Sequence, residues 1–143
     1  MDYSKDFNIL DILTPKSQTQ FLGEKTTIRQ ALEKFDYHKF TVVPILSDSG
    51  EYITTVSEGD ILRHIKNKTN FDITKANSKH VLSIDHYRSY KPIKIDASFD
   101  DVYEMILSQN FIPVVDDRNK FIGIIKRKDV LLCFKEKVEN QPL

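Results

Sequence analysis

Hydrophobic and polar positions follow one layout twice along this chain. In residues 111–129, two apolar runs at 111–115 and 121–125 flank the polar turn 116–119, and Asp129 precedes a third apolar run that begins at Val130. β-Branched and aromatic residues on both sides of a turn predict a β-hairpin, and a carboxylate before an apolar run is typical of a helix N-terminus. The block therefore predicts strand, turn, strand and helix.

Residues 42–60 repeat this block without a gap at an offset of 69 positions, which relates Pro44 to Pro113 and Asp60 to Asp129. Two copies are too few for a solenoid, which needs about three or more stacked units. The repeat indicates an internally duplicated domain.

A helix precedes each block. Residues 28–35 and 99–106 carry apolar side chains at the spacing of a buried helical face, and Thr26 or Thr27 can cap the first of these helices. The helices correspond at an offset of 71 rather than 69, so the second copy is two residues shorter near 108–110.

Strand candidates at 19–22 and 92–95 precede the helices, which makes each half β-α-β-β-α. Strands joined through a helix should be parallel neighbours by a right-handed crossover, and the last two strands should form an antiparallel hairpin, so each half should have three strands. A short helix is also predicted at 6–14, and the polar stretch 67–79 marks the joint between the copies.

Composition narrows the functional classes. Lys and Arg together number 21, as do Asp and Glu, and the pI is about 6.9, so no bulk charge attracts nucleic acid or a membrane surface. No apolar run approaches the ~18 residues of a membrane span, and the N-terminus is too polar for a signal peptide. We expect a soluble cytoplasmic protein with no nucleic-acid or membrane partner.

Side chains that carry chemistry are sparse. The four histidines, His38, His64, His80 and His86, lack the spacing of metal ligands, and the single Cys133 lies in an apolar helix. The sequence has no Gly-rich phosphate loop, nucleophile elbow or histidine–carboxylate motif. We therefore expect a binding module rather than an enzyme, without metal or cofactor.

The duplicated pattern resembles the CBS domain, a tandem pair of which forms a Bateman module. The matching segments are Val43-Pro44-Ile45 and Ser57-Glu58-Gly59-Asp60 in the first copy, and Ile112-Pro113-Val114 and Lys126-Arg127-Lys128-Asp129 in the second. The resemblance covers roughly residues 7–137. Thr54 stands where the family usually has glycine, and Lys126 where it usually has serine or threonine.

This resemblance implies a mixed α/β (α+β) fold of two pseudo-twofold-related β-α-β-β-α motifs packed through their sheets. The N-terminal helix and motif 1 would occupy residues 1–70. The connecting segment and motif 2 would occupy residues 71–143, and the two together would form one Bateman module.

CBS pairs bind adenosine compounds in two clefts, each built from the strand entrance of one copy and the Ser/Thr-x-x-Asp turn of the other. Strand backbone would bind the adenine edge, the aspartate the ribose hydroxyls, and the helix N-terminus with nearby cations the phosphate. Cleft A would then comprise Lys16, Thr19, Gln20, Thr41, Val42, Pro44, Ile124, Lys126, Arg127, Lys128 and Asp129. Cleft B would comprise Thr55, Ser57, Asp60, Tyr87, Arg88, Tyr90, Asn110, Phe111 and Pro113. The basic turn makes cleft A the favoured site.

Each residue also has a purely structural interpretation. Asp60 and Asp129 could be helix caps alone, the basic run could be a solvated strand end, and Tyr87 and Tyr90 could be core or interface aromatics. The corresponding functional alternative is a structural CBS protein with non-functional clefts, which acts through dimerisation and partner contact.

Small stand-alone bacterial CBS proteins that bind cyclic di-AMP are similar in length and layout. The resemblance makes cyclic di-AMP the leading ligand, with AMP, ADP and ATP as open alternatives, and implies a regulated protein partner. Apolar helix surface at Phe7, Ile9, Leu10 and residues 130–134 should be buried in a homodimer.

Overall fold

The computed structural model of the chain describes residues 7–70, 72–85 and 90–140. Its strands are β1 (Leu13–Pro15), β2 (Leu22–Gly23), β3 (Val42–Leu46), β4 (Tyr52–Ser57), β5 (Ile93–Lys94), β6 (Phe111–Val115) and β7 (Phe121–Lys126). Its helices are α1 (Ile28–His38), α2 (Glu58–Lys68), α3 (Ile73–Ala76), α4 (Phe99–Ile106) and α5 (Arg127–Glu139), with single 3-10 turns at Ile9–Asp11, Lys16–Gln18 and Val81–Ser83.

The described residues form two compact units. One, the first-copy unit, contains the described residues between 20 and 85, and the other, the second-copy unit, contains 7–19 together with 90–140. These packing units do not coincide with the predicted boundaries at 1–70 and 71–143. The segment before residue 20 packs with the second copy, and the segment after residue 71 packs with the first. At both ends of the first motif, the chain passes from one packing unit to the other at a residue that the sequence did not predict.

The first-copy unit has a three-stranded sheet in the order β2-β3-β4. Strand β2 is parallel to β3, and β3 is antiparallel to β4, as the sequence predicts. Thr27 is the N-cap of α1 and forms a reciprocal capping box with Gln30. The predicted helical face is the buried one, since Ile28, Ala31 and Phe35 are buried and Leu32 packs beside them.

The polar stretch that was predicted to be the joint between copies is partly built into the first-copy core. Ala76 is fully buried there, and the Thr69 hydroxyl donates to the Ile65 carbonyl at 2.6 Å. Backbone hydrogen bonds from Ile28 to the Lys79 carbonyl and from Val81 to the Thr26 carbonyl fix the end of this stretch beside α1. The sequence did not predict this packing, because the stretch is polar overall and only a few of its small side chains enter the core.

The second-copy unit has four strands rather than the predicted three, in the order β1-β7-β6-β5. Its own three follow the predicted pattern, because β5 is parallel to β6 and β6 is antiparallel to β7. The fourth is β1, which pairs antiparallel with β7 through Leu13 and Ile125.

The helix predicted at residues 6–14 is therefore wrong for the described residues. Only Ile9–Asp11 forms a 3-10 turn, and residues 13–15 are a strand. Isolated helices of this length are marginal, and most of their stability comes from packing. Pairing with β7 offers this segment backbone hydrogen bonds that a short helix ending at Pro15 could not supply.

In the described residues, no helix is both long enough and apolar enough to cross a membrane.

Candidate functional site

The two turns that begin α2 and α5 occupy equivalent positions but differ in how their aspartates are held. In the first copy, the Ser57 side chain accepts from the Asp60 amide at 3.0 Å, and the Asp60 carboxylate accepts from the Ser57 amide at 2.9 Å. Arg63 adds a hydrogen bond of 2.6 Å to the same carboxylate. Asp60 is only 3% exposed. Its oxygens are thus engaged in a capping box and an ion pair, in which Ser57 rather than Asp60 is the N-cap.

In the second copy, Lys126 is the N-cap of α5 and makes no side-chain capping bond, since it has no hydroxyl group at that position. Asp129 is half-buried, and no hydrogen bond or ion pair of its carboxylate is found within the described residues. Lys126 and Lys128, which precede it in the same turn, are exposed. This turn therefore combines two solvent-facing cations with a carboxylate that is available to a ligand.

Arg127, although it lies in the same turn, faces another way. Its Nε donates to the Ile106 carbonyl at 3.2 Å and its Nη2 to the Gln109 carbonyl at 3.0 Å. The Ile106 carbonyl belongs to the last residue of α4 and the Gln109 carbonyl lies three residues beyond it, where a cation satisfies acceptors that the helix leaves open. Although Arg127 is exposed as a residue, two nitrogens of its guanidinium thus bind backbone at the place where the sequence predicted a phosphate contact.

Gln109 is a residue that the sequence interpretation missed. It is 6% exposed, and its side-chain amide accepts from the Lys91 amide at 2.9 Å and donates to the carbonyls of Lys91 and Phe111, each at 3.2 Å. The repeat places Phe40 at the equivalent position in the first copy, so a buried polar side chain replaces an aromatic one. The sequence signal that could have pointed to this residue is the two-residue shortening near 108–110.

Before each of the two prolines, the strand entrance has one edge that no strand of the described residues covers. Glu58 donates its amide to the Thr41 carbonyl, so Thr41 faces β4. Because successive strand residues direct their backbone groups to opposite edges, Val42 faces the other side, where β2 begins to pair only at Ile45. The Val42 backbone groups therefore face an edge that is unpaired among the described strands.

The equivalent edge in the second copy is partly filled. Strand β5 pairs only from Val114, and the Gln109 side chain donates to the Phe111 carbonyl at this edge. Pro113, like Pro44, precedes the part of its strand that the parallel neighbour pairs, so its missing N–H interrupts no ladder. The first-copy edge at Val42 is thus the more open of the two.

Other residues predicted for cleft A are partly brought together by β1. The pairing of Thr14 with Ile124 and the contact of the Lys16–Gln18 turn with β7 place Lys16 and Thr19 in the same unit as Ile124. The Thr19 hydroxyl donates to the Pro15 carbonyl at 2.8 Å. Gln20 and Thr41 are exposed, and they lie in the first-copy unit with Val42 and Pro44. Because cleft A draws on both units, its assembly stays a prediction.

More of the residues predicted for cleft B than of those predicted for cleft A are held by hydrogen bonds or ring packing. The buried Thr55 hydroxyl shares a hydrogen bond of 2.7 Å with Tyr52, and the rings of Tyr90 and Phe111 pack with centroids 4.9 Å apart. Asn110 is exposed, and its carbonyl accepts a hydrogen bond from the Arg127 amide. Tyr87 and Arg88 lie outside the described residues. This cleft also draws on both units, so it likewise stays a prediction.

Two of the side chains considered in the sequence analysis, Cys133 and His64, have shifted pKa values. Partial burial against the second-copy core raises the pKa of the Cys133 thiol, which favours the unreactive protonated form. Burial, with Lys79 nearby, lowers the pKa of His64, whose Nε2 is buried without a hydrogen-bond partner in the described part of the chain. His38 and His80 are exposed, and His86 lies outside the described residues.

Comparison with known proteins identifies two copies of one domain. The family model of the CBS domain matches residues 10–67 and 86–136. The chain is 24% identical over 160 residues to the CBS domain-containing protein CBSX2, chloroplastic, of Arabidopsis thaliana, an alignment that covers 94% of this chain and 67% of the relative.

Two solved structures extend the comparison of fold. A crystal structure of CbpB in complex with c-di-AMP is similar with a TM-score of 0.82 at 20% identity, covering 94% of this chain and 88% of CbpB. A crystal structure of CBSX2 in complex with AMP has a TM-score of 0.72 at 24% identity, covering 92% of this chain and 98% of CBSX2. At these identities the likeness shows the fold.

Proposed function

Since the chain belongs to the CBS domain family, we propose that it is a regulatory module rather than an enzyme, and that it binds an adenine nucleotide between its two motifs and signals to a partner protein. The cytoplasmic location and the homodimer expected from the sequence are parts of the same proposal. The ligands of the two solved relatives, c-di-AMP and AMP, support the class of ligand because both contain adenine, ribose and phosphate.

The observation that carries this proposal is the difference between the two aspartates. Asp60 is buried and held by Ser57 and Arg63, whereas Asp129 has no hydrogen-bond partner among the described residues. A ribose diol needs an acceptor that can take two hydroxyl protons, and a free carboxylate can do so. Asp129 therefore fits ribose binding better than Asp60, which favours cleft A.

The phosphate and base contacts of cleft A follow from the same geometry. Lys126 and Lys128 are exposed beside the amide groups that begin α5, a combination suited to phosphate oxygens. The uncovered Val42 backbone would bind the adenine edge. The proposal leaves Arg127 out of the phosphate contacts, because two nitrogens of its guanidinium bind the Ile106 and Gln109 carbonyls.

Cyclic di-AMP is the leading ligand of this proposal, with AMP, ADP and ATP as alternatives. Its two phosphates would use both lysines of the turn, whereas the single phosphate of AMP would need only one. A calorimetric panel of AMP, ATP, S-adenosylmethionine and cyclic di-AMP separates these ligands.

The test of the site compares Asp129→Asn with Asp60→Asn in that panel. Asparagine has nearly the size and shape of aspartate but is a poorer acceptor for a ribose diol, so Asp129→Asn should weaken binding by about 1–2 kcal/mol, the loss of one charge-assisted bond. Asp60→Asn should leave affinity nearly unchanged once its effect on folding is accounted for.

Three other outcomes would change the proposed site or the proposed function. If only Asp60→Asn weakens binding, cleft B is the occupied site. If binding survives both changes, neither aspartate holds the ribose. If no adenine compound binds or raises the thermal stability of the wild-type protein, the alternative of a structural CBS protein that acts by dimerisation and partner contact replaces the sensor.

A further inference from the structure

Arg127 connects two parts of the second-copy unit that belong to different predicted clefts. It lies within the turn 126–129, which is assigned to cleft A. Its guanidinium contacts the carbonyls of Ile106 and Gln109 at 3.2 and 3.0 Å, and its amide donates to the Asn110 carbonyl at 3.3 Å. The segment 109–111 forms the strand entrance of cleft B. Arg127 therefore connects the turn predicted to bind phosphate in cleft A with the segment predicted to bind the base in cleft B.

Gln109 extends this connection. Its buried side chain holds both backbone groups of Lys91 and the carbonyl of Phe111, next to the packed rings of Tyr90 and Phe111. Tyr90 and Phe111 are themselves predicted cleft B residues. A shift of the Gln109 backbone would therefore be passed to the residues that line the second cleft.

The first copy has no equivalent connection among its described residues. Glu58 stands at the position of Arg127 and Phe40 at that of Gln109. The backbone bond from Glu58 to the Thr41 carbonyl is kept, but no side-chain hydrogen bond of Glu58 is found within the described residues. The first copy thus serves as a comparison for the second, because its described residues keep the same backbone bond but lack the side-chain connection.

We infer that Arg127 and Gln109 form a latch that couples the ligand turn of cleft A to the strand entrance of cleft B, with Arg127 as a positioning residue rather than a phosphate ligand. This inference rests on the proposed function for its ligand, although the latch itself does not require one. Phosphate bound by Lys126 and Lys128 holds the first turn of α5 in place. Arg127 lies between these lysines in the chain, so ordering them also orders its guanidinium against the carbonyls of Ile106 and Gln109. Occupation of cleft A therefore tightens the Gln109 clamp and favours an ordered entrance to cleft B, which is positive coupling.

The first experiment needs no ligand and measures amide hydrogen exchange by NMR. The Lys91 amide reports on the clamp because Gln109 is its acceptor, and the Ile125 amide, in the same sheet, reports on opening of the whole unit. In Arg127→Ala, the exchange rate of Lys91 should rise at least tenfold relative to that of Ile125. In Glu58→Ala, the matched control, the ratio should stay as in the wild type. An unchanged ratio in Arg127→Ala overturns the latch, and Arg127→Lys, which keeps the charge but not the forked geometry, serves if the alanine variant does not fold.

The second experiment adds cyclic di-AMP, with AMP in a parallel titration. In the wild type, ligand should slow Lys91 exchange more than Ile125 exchange, whereas in Arg127→Ala both should slow equally while the ligand still binds. A merely structural Arg127 would not make the ratio depend on ligand.

The unfavourable outcomes are distinguishable. Binding to the wild type with equal slowing at both amides overturns the coupling and leaves the proposed function intact. Excess slowing at Lys91 that persists in Arg127→Ala also overturns it, because the effect would then travel by another route. If calorimetry detects no binding of either nucleotide to the wild type, the proposed function fails and the coupling fails with it.

Discussion

A Cβ atom on Gly123 would overlap the carbonyl oxygen of Thr14 on the adjacent strand β1. Gly123 pairs directly with Pro15 and has a φ of 156°, a conformation that side chains rarely adopt. Thr54 stands at the equivalent position of the first copy, where β4 has only β3 beside it in a three-stranded sheet. The departure from the family's usual glycine at Thr54 thus occurs in the copy where no fourth strand lies against it.

Gly123→Ala should therefore destabilise the protein by about 3 kcal/mol, because the added methyl group both strains the backbone and pushes β1 from the sheet. Urea denaturation measures this loss. The matched change Thr54→Gly should cost about 1 kcal/mol or less, the usual effect of glycine in a strand. Equal losses in the two variants would contradict the role assigned to β1.

The two aspartates should differ in stability as well as in binding. Asp60→Asn should lower the free energy of unfolding by about 2 kcal/mol, because a charge-assisted bond to Arg63 in a nearly buried site is weakened. Asp129→Asn should change it by no more than about 0.5 kcal/mol, as is usual for benign substitutions. Chemical denaturation of both variants checks the difference, and a large loss for Asp129→Asn would mean that the fold itself depends on the negative charge of Asp129.

Removal of the two lysines of the turn should weaken nucleotide binding without unfolding the protein. In Lys126→Ala/Lys128→Ala, affinity for cyclic di-AMP should fall at least tenfold, since each charge-assisted bond is worth about 1.5–3 kcal/mol. Lys66→Ala/Lys68→Ala removes the same charge from the exposed last turn of α2 and is the control in calorimetry. Arg127 is kept in both variants because its loss would disturb the end of α4. Equal affinities in the two double variants would remove phosphate binding from this turn.

Gln109→Leu should destabilise the second-copy unit by about 3 kcal/mol. The leucine fills the site but leaves the amide of Lys91 and the carbonyls of Lys91 and Phe111 without their partner. Asn110→Ala, at the exposed neighbouring residue, should cost far less. Thermal unfolding of the two variants distinguishes a buried clamp from a surface contact, and similar melting temperatures would argue against the clamp.

His64 should make stability fall in mild acid. Burial is the main cause that lowers its pKa below the ordinary value of 6.5; Lys79 and Lys68 act in the same direction, and Asp85 opposes them. Below pH 6.5 the unfolded chain binds a proton that the folded protein resists, so this contribution to stability is complete above that pH and is lost as pH falls toward the folded-state pKa. Urea midpoints measured between pH 7.5 and 5.5 should decline more steeply in the wild type than in His64→Gln. Parallel slopes would contradict this.

Part of the apolar surface expected to drive dimerisation lies in the core instead. Ile9 and Val130 are buried, whereas Leu10, Leu131 and Leu132 remain about half exposed. The homodimer stays a prediction, now with the exposed leucines as candidates for its contact surface.

The sequence by itself determined the elements that depend on near neighbours. Both hairpins, the parallel strand pairs and the buried faces of α1 and α4 were predicted correctly, and Thr27 is one of the two threonines predicted to cap α1. Turn residues, apolar spacing and capping groups act within a few positions, so the sequence alone reveals them. The repeat also revealed the duplicated CBS architecture, since two copies in register are a stronger signal than either one.

Only the tertiary structure decided features that join distant residues. Pairing of β1 with β7 turned a predicted helix into a strand and gave the second copy its fourth strand. Likewise, side-chain direction decided that Arg127 binds carbonyls at the end of α4. It also decided that, among the described residues, an arginine contacts Asp60 but not Asp129. Sequence spacing cannot show these relationships, because a residue type specifies which bonds a side chain can make, whereas packing selects the partner.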